Sequence, residues 1–229
     1  MSAGGADAGD SLTIEVEGGT TVSALLHRPA AARACYVLAH GAGAGMQHPF
    51  LNAAASELGA LGIATLRYQF PYMERRSRRP DPPALCHAAV RAAVLEAARR
   101  APGLPLFAGG RSFGGRMTSQ AQAIEALPGV RGLVFLGFPL HPAGRPADTR
   151  ADHLSRVQIP MLFLQGTRDG LAERPLVQSL VTRLGERASL VWAEDADHSF
   201  HVPARTGLTD AQVREKLLQA LSRWVDSLL

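Results

Sequence analysis

Short, uninterrupted apolar runs alternate with stretches of helical length along most of this chain, and no other feature of the sequence narrows the fold so far. Ala34–Ala39 (ACYVLA) is apolar throughout, as a strand covered on both faces must be. Residues 63–70, 104–109, 132–138, 161–165 and 189–193 read as further strands of the same series. Helical segments fall between them: about a dozen residues starting after Pro49, then 84–100, 113–126 and 173–184. The amphipathic stretch 208–229 closes the chain, with Thr209 as its N-cap. Ahead of this series, residues 12–16 and 21–27 alternate polar and apolar side chains around Gly18-Gly19, the pattern of a β-hairpin. Eight strands, antiparallel first and then alternating with helices, predict an α/β fold with a doubly wound, mostly parallel sheet and helices on both faces. With no internal repeat and no low-complexity linker, residues 11–229 are expected to form a single domain behind a flexible polar tail at 1–10.

Composition excludes several roles. The 24 basic residues exceed the 20 acidic ones by only four, and they are scattered rather than striped, so a nucleic-acid partner is not expected. Almost all of them are arginine, Lys216 being the one lysine. Two cysteines, Cys35 and Cys86, lie in apolar stretches and read as small buried hydrophobes, too few for a disulfide framework or a metal cluster. A reducing cytoplasm suits them. No apolar run approaches the roughly 20 residues that cross a bilayer, and the first ten residues lack the basic start and apolar centre of a signal peptide. No membrane role is expected.

In parallel sheets, chemistry gathers beyond the carboxyl ends of the strands. The strand at 104–109 runs into Gly110-Arg111-Ser112-Phe113-Gly114, a G-x-S-x-G turn leading into a helix. Such a turn strains the serine and exposes its hydroxyl, and glycines on either side relieve the clash. A serine hydroxyl attacks a carbonyl only with a base beside it, oriented in turn by an acid. The strand at 161–165 ends in a turn carrying Asp169, and that at 189–193 ends in one carrying His198. Ser112, Asp169 and His198 are therefore the expected catalytic residues, in the chain order this architecture uses. His201 is the competing base, while Asp195 and Asp197 are expected to shape the loop, and His40 to shape the turn after its strand. The developing oxyanion needs amide donors. Phe113 supplies one, and the loop His40-Gly41-Ala42-Gly43-Ala44-Gly45 the other, at Ala42 or alternatively at Gly43. That loop matches neither G-x-G-x-x-G nor G-x-x-x-x-G-K-[ST], which excludes the common nucleotide-binding loops.

The sequence resembles the α/β-hydrolase superfamily over nearly its whole length. More narrowly it is similar to small bacterial hydrolases related to the testis-expressed and NSL-complex hydrolase-like proteins of animals. The residues carrying the narrower likeness are HGAGAG at 40–45, FPYM at 70–73, RRPDP at 78–82, GGRSFGGRM at 109–117, GFPLHP at 137–142, QGTRD at 165–169 and Asp197-His198. The resemblance implies the α/β-hydrolase fold and hydrolysis of a small-molecule ester, thioester, lactone or amide without a cofactor. The animal relatives look like interaction subunits, which leaves an interaction module as the rival reading. Only about 20 residues separate the strand ending at Phe138 from that beginning at Met161, too few for a large cap domain. An open site of this kind favours small acyl groups. Gly43, Tyr72, Arg78 and Arg79 are candidate substrate contacts, the last two within the arginine-rich loop 75–79. Oligomeric state is not legible in these residues.

Overall fold

The computed structural model describes residues 9–77 and 79–229. Most of the expected tail, 1–8, and the candidate Arg78 therefore lie outside the described residues. The strands are β1 (Asp10–Val16), β2 (Thr20–His27), β3 (Ala34–Ala39), β4 (Ile63–Tyr68), β5 (Leu106–Arg111), β6 (Val130–Leu136), β7 (Met161–Gly166) and β8 (Ala188–Ala193). They form one sheet in the order β1-β2-β4-β3-β5-β6-β7-β8. The pairings β1–β2 and β2–β4 are antiparallel, and every later one is parallel.

Strand β3 shows why an unbroken apolar run was needed. Cys35, Val37 and Ala39 face one core cluster, which also holds residues of α3 (Pro83–Arg100), α4 (Phe113–Ile124) and α5 (Arg174–Leu184). Ala34, Tyr36 and Leu38 face the other, shared with α1 (Pro49–Ala60) and α6 (Asp210–Asp226). Side chains alternate across the sheet, so a strand with helices on both sides must be apolar at every position. Helix α6 begins with a reciprocal capping box: the Thr209 hydroxyl accepts from the Gln212 N–H, and the Gln212 side chain accepts from the Thr209 N–H. Among the described residues no helix is long and apolar enough to cross a membrane.

Several boundaries differ from the sequence reading. Strand β1 starts at Asp10, inside the stretch expected as a tail, because Asp10 pairs with Leu26. Strand β5 starts at Leu106 rather than Leu104: the Leu104 N–H closes a turn on Ala101, and Pro105 has no N–H to give. Strand β6 stops at Leu136 because the Phe138 N–H turns to the Gln165 side chain. Helix α4 ends at Ile124, where Glu125 is already extended. Four short elements escaped the sequence reading: the helical turn α2 (Pro71–Glu74) and 3₁₀ helices at Gly185–Arg187, at Ala204–Thr206 and at Thr149–Arg156. That 3₁₀ helix is the only regular element between β6 and β7, so no large cap covers the carboxyl ends of the strands.

Candidate active site

Ser112 sits between β5 and α4 with φ 50° and ψ −116°, a left-handed conformation that non-glycine residues rarely adopt. Such a residue costs on the order of 1–3 kcal/mol and persists only where its surroundings fix it. Here the Ser112 N–H donates to the Leu136 carbonyl at 3.1 Å, and its own carbonyl accepts the Arg116 N–H at 3.2 Å. The flanking glycines permit the approach of β3. A Cβ on Gly110 would lie 2.3 Å from the Ala39 oxygen, and one on Gly114 would lie 2.6 Å from the His40 oxygen. Glycine is thus required on both sides of the turn.

The three expected side chains converge. Ser112 Oγ lies 2.8 Å from His198 Nε2, and His198 Nδ1 lies 2.7 Å from Asp169 Oδ2. Asp169 is buried, and its carboxylate is held at both oxygens. The Leu171 N–H donates to Oδ1 at 2.8 Å, and Gln165 Nε2 donates to Oδ2 at 2.5 Å. Gln165, at the end of β7, also accepts the Phe138 N–H at 2.9 Å, tying the loop after β6 to the acid. Sequence reasoning passed over Gln165. The signal was present, since a polar side chain closing the apolar run MLFLQ must find partners inside the core.

The competing groups are placed elsewhere. His201 is exposed and pairs with Asp210 at 3.0 Å. Asp197 accepts the backbone N–H groups of Ser199 and His201, and Asp195 pairs with Arg205, so both shape the loop around His198. His40 is fully buried; Nε2 accepts the Phe70 N–H at 3.0 Å while Nδ1 lies 2.7 Å from the Gly41 carbonyl. Burial pushes it down to about 4, so the ring is neutral and fastens β4 to the loop after β3. Burial likewise pushes the thiols of Cys35 and Cys86 up to about 12, which leaves neither as a nucleophile near neutral pH.

A hollow of about 410 Å³ opens above Ser112, with Phe113 and Ala42 in its lining. Among the described residues, neither the Phe113 nor the Ala42 amide donates to another protein group. The Gly43 N–H, by contrast, is taken by the Tyr72 hydroxyl at 3.3 Å, which removes it as the alternative donor. Tyr72 itself is fully buried and has no surface to offer a ligand; the expectation of a substrate contact gives way to an anchor for the loop. Arg79 is exposed and outside the lining of the hollow, to which Pro80, Asp81 and Pro83 contribute instead. Two other arginines line it: Arg116, one helical turn beyond Ser112, and Arg150, from the 3₁₀ helix. The i+4 spacing marks Arg116 in the sequence, whereas nothing local marks Arg150.

Residues 32–226 match the family model of the alpha/beta hydrolase domain, and the chain belongs to that family. Solved structures repeat the fold. A serine hydrolase without lid from Xanthomonas campestris is 23% identical, with a TM-score of 0.73 and 94% of each chain covered. A dienelactone hydrolase from Anabaena variabilis is 20% identical, with a TM-score of 0.75 over 97% of this chain and 99% of its own. Est1E from Butyrivibrio proteoclasticus is 17% identical, with a TM-score of 0.66 over 93% and 99%.

Proposed function

We propose that this protein is a single-domain, cytoplasmic serine hydrolase that cleaves small carboxylic esters, or related thioesters and lactones, through an acyl-enzyme on Ser112. The observation carrying this reading is the continuous chain from Ser112 Oγ through His198 to Asp169, with both links under 3 Å. His198 donates from Nδ1 to the buried Asp169 carboxylate, which leaves Nε2 to accept the Ser112 proton. The serine oxygen attacks the carbonyl, and the Ala42 and Phe113 N–H groups receive the oxyanion; one such donor contributes roughly 3 kcal/mol to the transition state. The imidazolium then protonates the leaving alcohol. Water, deprotonated by His198, attacks the acyl-enzyme and frees the acid and the serine. Every step uses groups of this chain and needs no cofactor.

Proteins of the same fold that are named esterase and dienelactone hydrolase support an acyl substrate. The kinship with the testis-expressed and NSL-complex hydrolase-like proteins rests on the motifs quoted above. That kinship supplies the rival, an interaction module without catalysis. A fluorophosphonate probe separates the two, since it reacts with an activated serine whatever the natural acyl group. A mass increment on Ser112, absent in Ser112→Ala, is the expected result. A folded native protein that stays unlabelled would overturn the enzyme reading.

A further inference from the structure

Several arginines of this molecule have a carboxylate to answer them: Arg33 pairs with Asp226, Arg183 with Asp148 and Arg214 with Glu57. The two in the hollow do not. Among the described residues, neither the Arg116 nor the Arg150 guanidinium forms an ion pair or donates a hydrogen bond. Arg116 Nε is buried with no partner, and the guanidinium lies 5.6 Å from the centre of the Phe113 ring. Burial, and then the Arg150 charge, push Arg116 below its ordinary value. Two like charges held close in a partly dry site repel, and an unanswered buried donor is costly. An anion between them relieves both.

We propose that Arg116 and Arg150 form a carboxylate-binding subsite, and that the preferred substrates are short esters whose acyl chain ends in a carboxylate. The inference rests on the acyl-enzyme reading above for the site it extends. Asp81 also lines the hollow, but its carboxylate is paired with Arg75, outside the lining, so it leaves the two guanidiniums unanswered. Arg116 stands one helical turn beyond Ser112, roughly 6 Å along the axis, so a short diacid monoester such as that of adipate is the probe chosen to span serine and subsite. The planar guanidinium fork accepts a carboxylate through two parallel N–H donors, and this favours arginine over lysine at such a place.

The test compares p-nitrophenyl esters of adipate that differ only at the far end: free acid, neutral amide, and a phosphonate counterpart as the dianion. In the native protein kcat/KM should favour the acid over the amide by about tenfold or more, the range of a charge-assisted hydrogen bond. In Arg150→Gln and Arg116→Gln that ratio should fall to within about twofold; the ratio cancels losses common to both esters. Arg150→Gln, on the 3₁₀ helix, keeps the test decisive if the buried Arg116 change impairs folding. Equal rates on acid and amide in the native protein, an undiminished ratio in both variants, or a preference for the phosphonate would each overturn the proposal. Calorimetric binding of adipic monoamide to Ser112→Ala, expected to vanish on adding Arg150→Gln, reads the subsite without hydrolysis. Fluorophosphonate labelling without any acid preference would sink the subsite and leave the hydrolase standing. Binding without labelling would do the reverse.

Discussion

In two histidine–aspartate pairs of this chain the histidines are three residues apart, and the contrast between them is why we propose one for catalysis and read the other as a brace. His198 meets Asp169 at 2.7 Å with the acid side chain wholly buried, while His201 meets Asp210 at 3.0 Å with both partners more than half exposed. Chemistry and spacing are nearly alike; surroundings are not. Asp169 is fixed by Gln165 and the Leu171 amide, whereas Asp210 stands in the first turn of α6, open to water. The far nitrogen of His198 meets Ser112 Oγ, whereas among the described residues no hydroxyl hydrogen-bonds the His201 ring. A catalytic pair is thus defined by what holds the acid and what the free nitrogen sees.

The comparison can be broken most sharply at the acid. Asp169→Asn should lower kcat on p-nitrophenyl acetate by roughly 10³- to 10⁴-fold, since an amide in that place favours the wrong imidazole tautomer. A loss under tenfold would mean that another acid orients His198. Next is Gln165→Leu, which removes one donor to Asp169 and leaves the Phe138 N–H unanswered. Its kcat should fall about 10- to 100-fold with KM little changed, and stability by about 1–3 kcal/mol; steady-state kinetics and urea unfolding measure the two. Unchanged kcat would reduce Gln165 to packing.

Acid titration contrasts buried and exposed histidines in sign. Burial pushes both His40 and His153 down to about 4, with the Arg116 and Arg156 guanidiniums adding to the effect at His153. A group depressed in the folded state stabilises fully above its unfolded value near 6.5, and that contribution fades as pH falls towards 4. Each of the two should cost about 1.4 kcal/mol per pH unit inside that window. Asp210 raises His201, so its contribution is complete below 6.5 and is lost as pH rises through the folded value. Urea midpoints that stay level between pH 6.5 and 4 would contradict the burial argument. The smallest effect belongs to the brace itself: His201→Gln should change kcat/KM by less than about twofold, and a larger loss would blur the distinction between the pairs.

The strand-end rule made the convergence of Ser112, Asp169 and His198 legible, because each lies just past an apolar run and such runs are hard to mistake in a doubly wound sheet. Neighbours brought together by folding alone were harder. Arg150 reaches the hollow only because residues 149–156 coil into a 3₁₀ helix beside α4, and no local pattern announces that. Arg79 misled because membership in a loop on the correct side of the sheet does not fix where its side chain points. Tyr72 looked like a polar handle near the site, yet packing with Phe70 and Phe113 spends its ring on the core.

The two sealed thiols make the protein its own opening clock. Cys35 lies in the central strand β3 and Cys86 in the first turn of α3, both wholly out of reach of solvent. Alkylating reagents therefore meet a thiol only when the sheet or α3 opens, and the rate at which each cysteine is captured times that opening. A serine-directed probe then counts working molecules while a thiol-directed one counts transiently unfolded ones, in the same tube and without any engineered label.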